Sequence, residues 1–246
     1  MSKKLFALLL AALMVCGAAL ALADGIAVTD MHGREITLDA PATRIVALTP
    51  SDCEILCAIG RGKYCDYPES VTELPVVQSG AETNIEEILA LEPQIVLMSD
   101  MSQTEEQAKL LEQNGVKVVI SDANDIAGVY TAIRMIGTLM AKNDEAEALI
   151  ADMQATFDEI AAKSEKSDKT IYFEVSPLQW GLWTAGSGTF MDELATMCGV
   201  TNAFADISGW QSISEEQVIE RNPDYIVSIA GMGDTAVEEI LGRDGW

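Results

Sequence analysis

The sequence predicts an α/β protein of two lobes, each built on a parallel sheet, with one long α-helix joining them. Three observations carry that expectation. Short apolar strand-like runs alternate with helix-like runs up to about residue 142. A second alternating series begins at Lys169. Between the two, no Gly or Pro falls between Thr138 and Ser176, so nothing breaks a helix there.

The joining stretch is Asp144–Lys166. Its apolar residues, Ala146, Leu149, Ile150, Met153, Phe157, Ile160 and Ala161, step by three and four and form one stripe at helical period. Asn143 or Asp144 can cap its start, and Glu145 and Glu147 suit the positive end of the helix dipole. Such a helix reaches roughly 30 Å, about the width of a small domain. The expected division is a leader at 1–23, an N-terminal lobe at 24–142, the connecting helix at 143–166 and a C-terminal lobe at 167–246.

Taken in order, Ile26–Thr29 and Glu35–Leu38 alternate around Asp30-Met31-His32-Gly33 and read as a hairpin. Arg44–Leu48 is a short buried strand. Ser51 with Glu54 reads as a capping box opening a helix to Ile59, closed by Gly60. Pro75–Val77, Gln94–Met98 and Val116–Ile120 are strands. Ile85–Leu91, Thr104–Asn114 and Asp125–Ala141 are the helices between and after them. This alternation gives Rossmann-like lobes whose ligands meet the C-terminal strand ends. In the second lobe Thr170–Val175 is a strand, Ser176–Thr189 a loop, Phe190–Cys198 a helix and Val200–Ala203 brief. Asp206–Ser214 is a second loop, Glu215–Glu220 a helix, Tyr225–Ile229 a strand and Thr235–Leu241 a helix. Two firm strands are few for a closed core, so the C-terminal lobe is expected to be incomplete.

With 15 basic and 39 acidic residues the net charge is −24, which excludes nucleic acid and anionic membranes as partners held by bulk electrostatics. The N-terminus reads as a secretion signal: Lys3 and Lys4, an apolar Leu5–Val15, then Ala21-Leu22-Ala23. Cys16 opens a lipid-anchor alternative, though Val15 before it is a poor fit, and soluble export is favoured. Cys53 and Cys57 lie four apart on one helix face. They read as small buried hydrophobes, with a bridge from one of them to Cys65 as the competing reading. The single histidine, His32, sits in the hairpin turn and reads as surface. No nucleophile elbow, P-loop or His-rich metal cluster is present, so an enzyme is not expected.

Three stretches resemble one family: PATRIVALTPSDCEILCAIG, NIEEILALEPQIVLMSD and SEEQVIERNPDYIV. They are similar to the helical-backbone substrate-binding proteins of ABC importers, the group that serves ferric siderophores, haem and cobalamin. Gln94 stands where the usual pattern has Asp. The resemblance implies two lobes on one long helix, with ligand held between them and little closure. It implies a permease and its ATPase as partners, a metal chelate as cargo (a corrinoid or a ferric siderophore), no resident cofactor and a monomer. Family members run on beyond the equivalent of Trp246. The resemblance also implies that Cys198 would pair with a cysteine in that further segment.

The ligand contacts expected are Tyr64, Tyr67, Trp180, Trp183 and Trp210, large aromatics in loops that offer flat area to a flat ligand. The competing reading packs them over the core. Tyr64, Trp183 and Trp210 match aromatic positions that meet the corrin in cobalamin-binding members, whereas Gln78-Ser79-Gly80 replaces a further aromatic. Arg61 and Lys63 are the nearest cations for an anionic siderophore. Tyr64 or Tyr67 could ligate haem. By resemblance, Glu86 and Glu216 dock on arginines of the permease; otherwise they only favour their helix dipoles. A haem-binding member and an exported sensor of the same fold are the alternatives.

Overall fold

The computed structural model describes residues 25–56, 60–62, 65–80, 82–99, 104–230 and 235–246. The leader, Cys16, Cys57, Lys63 and Tyr64 lie outside the described residues. The chain forms two compact units. One comprises the described part of Met1–Asp122 with Ala132–Glu147, and the other Ala123–Thr131 with Ala148–Trp246.

The first unit opens with the antiparallel hairpin β1 (Ile26–Thr29) and β2 (Glu35–Leu38). Its turn is held by Asp30, whose Oδ1 accepts from the backbone N–H groups of His32 (3.0 Å) and Arg34 (2.9 Å). Then follow β3 (Ile45–Ala47), α1 (Pro50–Ile55), β4 (Gly60–Gly62), a 3₁₀ turn (Glu69–Glu73), β5 (Val76–Val77), α2 (Ile85–Ala90), β6 (Ile95–Met98), α3 (Glu105–Gln113) and β7 (Lys117–Ile120). The five strands make a parallel sheet in the order β5-β4-β3-β6-β7. β3 and β6 are buried along their whole length, as a parallel strand covered on both faces must be. Alternation divides them cleanly: Ile45, Ala47, Ile95, Leu97 and Val119 enter one core cluster, and Val46, Leu48, Val96, Met98, Val118 and Ile120 the other.

Helix starts follow side-chain chemistry. Asn84 accepts from the N–H groups of Glu86 and Glu87, and Thr104 forms a capping box with Gln107. The capping box expected at Ser51 is not formed. Thr49 is the N-cap, Pro50 takes the first helical position, and no side chain caps this end. α1 also stops at Ile55, with Leu56 extended, and Gly60 begins a strand instead of closing a helix.

α4 (Ile126–Leu139) and α5 (Asn143–Lys163) follow. α5 is one uninterrupted helix of 21 residues. Gly137 allows close packing here: a Cβ on it would lie 2.6 Å from the Cβ of Ala146. The apolar stripe is buried only at Ala146 and Ile150. Met153 and Phe157 are half-buried, and Leu149 and Ile160 are exposed.

The second unit contains β8 (Thr170–Glu174), a 3₁₀ turn (Leu178–Trp180), β9 (Trp183–Ala185), α6 (Phe190–Met197), β10 (Thr201–Asn202), β11 (Trp210–Ser212), α7 (Glu215–Arg221), β12 (Tyr225–Ser228) and α8 (Ala236–Leu241). Its parallel sheet runs β10-β8-β12. The two stretches expected to be loops each hold a strand, and β9 and β11 pair as an antiparallel ribbon. Edge strand β12 exposes Tyr225, Ile226 and Val227, with Ile229 exposed just beyond.

At the end of β8, Glu174 is fully buried and receives both terminal nitrogens of Arg243, at 2.6 and 3.0 Å. Arg243 in turn lies over the ring of Trp246, 4.4 Å from its centroid. Arg243 also bonds Glu239, its Nε–H donating to Oε1 at 2.9 Å, so removing Arg243 strands the buried Glu174, while removing Glu174 leaves Arg243 one carboxylate. Arg243→Met should cost about 3–5 kcal/mol, Glu174→Leu less, and the double variant less than Arg243→Met alone, read by urea unfolding. A double variant whose cost equals the sum of the two single costs would show that the charges are not coupled.

Candidate functional site

The aromatic surface of the second unit is built on the β9–β11 ribbon. Trp183 faces Ser212 across it and Ala185 faces Trp210, so pleating puts Trp183 and Trp210 on one face as diagonal neighbours. The base of the ribbon is a tight backbone crossing. Gly186 donates to Gly209 O at 2.8 Å and Ser187 to Ile207 O at 2.7 Å. A Cβ on Gly186 would meet Ile207 O at 2.2 Å, so only glycine fits there.

The two indoles differ in setting. Trp210 is half-buried against the cluster of Phe173, Ala185, Met191 and Ala195, and its ring meets Phe190 at 5.6 Å and 58°. Its Nε1–H donates to Asn124 Oδ1 at 3.4 Å. Trp183 is 42% exposed and Trp180 is 74% exposed. The sequence therefore divides as follows: Trp183 and Trp210 come together on one ribbon, Trp180 stands out from the adjoining 3₁₀ turn, and Trp246 packs inward near Tyr172. Tyr67 is 65% exposed on the first unit. Sequence reasoning missed Phe190 and Asn124. The first is read only as a helix start, and the second is joined to Trp210 across a long stretch of chain.

In the first unit, polar groups gather at the C-terminal ends of the strands. β3 and β6 are neighbours, yet the chain leaves β3 for β4 on the other side, which creates a crevice of the kind ligands favour. Thr49, Asp52, Ser99 and Ser121 are all buried there. The Thr49 hydroxyl donates to Asp52 Oδ2, while Asp52 Oδ1 has no hydrogen-bond partner among the described residues. His32, expected to be plain surface, bonds Asp122 Oδ2 at 2.9 Å and lines a cavity of about 400 Å³ with Arg34, Met98, Ser99 and Thr104. Among the described residues no group of three or more His, Cys, Asp or Glu could hold a metal ion. Cys53 and Cys65 are buried, and Cys198 is exposed with a free thiol.

The expected docking carboxylates occupy matching places. Glu86 and Glu216 are the second residues of α2 and α7, and both are exposed. The Ser214 hydroxyl holds the Glu216 carboxyl below its usual range.

Comparison with known proteins decides the family. Residues 45–246 match the periplasmic binding protein family. The chain belongs to that family. A protein of Bacillus subtilis (strain 168), described as an uncharacterized ABC transporter substrate-binding lipoprotein, is 32% identical over 235 residues, covering 90% of this chain and 73% of the relative. The vitamin B12-binding protein of Salmonella typhi is 29% identical over 213 residues, covering 82% and 78%. Among solved structures, a possible iron-binding (periplasmic solute-binding) protein from Staphylococcus epidermidis ATCC 12228 superposes with a TM-score of 0.70 at 29% identity, covering 84% of each chain. These are binding proteins rather than enzymes. No described helix is long and apolar enough to cross a membrane.

Burial lifts the Asp52 carboxyl from 3.8 to about 6, and the charge of Asp122 adds to the effect against the Thr49 and Ser121 hydroxyls. A carboxyl raised in this way favours the folded state when neutral. That contribution is complete below pH 3.8 and is lost as pH rises through about 6. Asp52→Asn should therefore raise stability at pH 8 by on the order of 3 kcal/mol and do little at pH 4. Urea unfolding at both pH values checks this, and an equal gain at both would remove the titration as its cause.

Proposed function

We propose that this chain is the substrate-binding component of an ABC importer and that it captures a flat metal chelate, a corrinoid or a ferric siderophore, for delivery to a permease and its ATPase. The observation that carries this reading is the pair of indoles on one face of the β9–β11 ribbon, with Trp183 left 42% exposed beside a half-buried Trp210. Large rings exposed together in water are unfavourable unless something flat covers them. Family membership and the relatives, a vitamin B12-binding protein in Salmonella typhi and a possible iron-binding protein in Staphylococcus epidermidis, support the same class of cargo.

Charge favours the corrinoid. At −24 the chain repels a strongly anionic chelate at long range, whereas a neutral or cationic corrinoid meets no such barrier. Trp183, Trp210 and Trp180 are the contacts proposed on the second unit, with Tyr67 and Tyr64 proposed on the first. Export through the leader at 1–23 belongs to this reading. The lipoprotein description of the Bacillus relative supports an anchor at Cys16 over soluble release.

The test is quenching of intrinsic tryptophan fluorescence by hydroxocobalamin, a ferric hydroxamate siderophore, a ferric catecholate siderophore and haemin. Hydroxocobalamin should bind most tightly, and Trp183→Ala should weaken it at least about tenfold, in the range of an aromatic hot spot. Silence with all four compounds sinks the proposal.

Glu86 and Glu216 are proposed to dock on basic sockets of the permease. Their exposed carboxylates at capped helix starts are placed to meet cations without rearrangement. Charge reversal at both, Glu86→Arg with Glu216→Arg, should abolish uptake into cells while leaving ligand affinity within about twofold of wild type. Loss of affinity in that double variant would move these residues out of docking.

A further inference from the structure

Asn124 follows the last strand of the first unit, yet the segment Ala123–Thr131 belongs to the second. Three hydrogen bonds hold it there. Phe190 N–H donates to Asn124 O at 2.8 Å, Ile126 N–H donates to Glu193 Oε2 at 2.8 Å, and Trp210 Nε1–H donates to Asn124 Oδ1 at 3.4 Å. The first two fasten the backbone of residues 124 and 126 to the first turn of α6. The third uses the side chain that this fastening has placed.

A closed triangle results. Phe190, which fixes the backbone of Asn124, is the residue whose ring packs on Trp210 at 5.6 Å. Trp210 is therefore held in two ways: its ring packs on Phe190 and the core cluster beneath it, and the edge carrying Nε1 is turned by Asn124. A tryptophan on a three-residue strand has two rotatable side-chain bonds, and ring packing alone leaves the flip of the indole about its second one open. The amide acceptor removes that freedom, because only one flip presents Nε1–H to Oδ1.

We propose that Asn124 is a positioning residue: it sets the flip of the Trp210 indole and thereby the aromatic surface that Trp210 and Trp183 present to a flat ligand. The inference rests on the ligand-binding reading above for its consequence, and on the Asn124–Phe190–Trp210 triangle for its geometry. The backbone bond from Phe190 to residue 124 needs no particular side chain, so a substitution at 124 separates orientation from folding.

The experiment compares wild type, Asn124→Ala and Asn124→Asp by ¹⁵N–¹H spectra of the indole groups, with the Trp210 resonance identified through Trp210→Phe, and by titration with hydroxocobalamin. In Asn124→Ala the Trp210 indole proton should move upfield and exchange faster with water. Hydroxocobalamin should bind about fivefold more weakly, as expected for loss of one neutral hydrogen bond. Asn124→Asp keeps an acceptor oxygen and should restore both the resonance and the affinity. An unchanged Trp210 resonance in Asn124→Ala overturns the proposal. So does a shifted resonance with wild-type affinity, or equal weakening in Asn124→Asp without a shift. If wild type binds no hydroxocobalamin, the corrinoid reading fails, and the indole resonance still decides whether Asn124 sets the ring.

Discussion

The constraint on which the first unit rests is the parallel pairing of β3 with β6. Parallel strands buried on both faces cannot be joined by tight turns, so helices must cross between them. That single requirement fixes the alternation of strand and helix along the chain. It also brings every strand's C-terminal end to one side, where Thr49, Asp52, Ser99 and Ser121 collect. Burial on both faces then makes any polar group at that edge costly unless it is bonded. Burial accordingly raises the pKa of Asp52, whose Oδ1 lacks a partner among the described residues.

The second unit solves its packing differently. Its two buried apolar clusters hold four residues each among the described residues, against much longer runs in the first unit. Aromatic rings and one ion pair make up the difference. Tyr172 packs on Phe204 at 5.5 Å and on Trp246 at 6.1 Å, and Arg221 lies over Phe204 at 4.3 Å. The Glu174–Arg243 pair then closes the region around the end of β8. A core of large rings has less freedom to repack than one of aliphatic chains.

Much of the fold was legible because its signals are local. Asn84 and Thr104 start helices through bonds to residues two or three positions on, and such bonds follow directly from sequence spacing. The long helix is equally local: 21 residues without a breaker leave few alternatives. The failures have physical causes. Ser51 and Glu54 have capping-box spacing, but Pro50 claims the first helical position and Thr49 the N-cap, two residues before Ser51. β9 and β11 were hidden because strands of three residues carry no periodicity, and their pairing joins positions about 25 apart in the chain. The candidate site was half legible for the same reason. Residue type drew attention to Trp183 and Trp210, while their shared face depends on a register that only long-range pairing sets.

That register explains why the aromatic surface can be both rigid and exposed. A hairpin of three-residue strands is marginal alone. Here the ribbon is tied at one end by Val175 N–H donating to Trp183 O at 3.0 Å, and at the other by the crossing of Gly186 and Ser187 with Ile207 and Gly209. Thr184, between the two ties, is fully buried with its hydroxyl unpartnered among the described residues. Thr184 and Gln211 share one face of the ribbon, and Trp183, Ala185, Trp210 and Ser212 share the other. Burial changes along the Trp183 face itself: its Ala185–Trp210 end packs on the core, and its Trp183–Ser212 end is open. That gradient leaves the Trp183 ring open to contact, and it makes the register of the ribbon, rather than either tryptophan alone, what sets the aromatic surface.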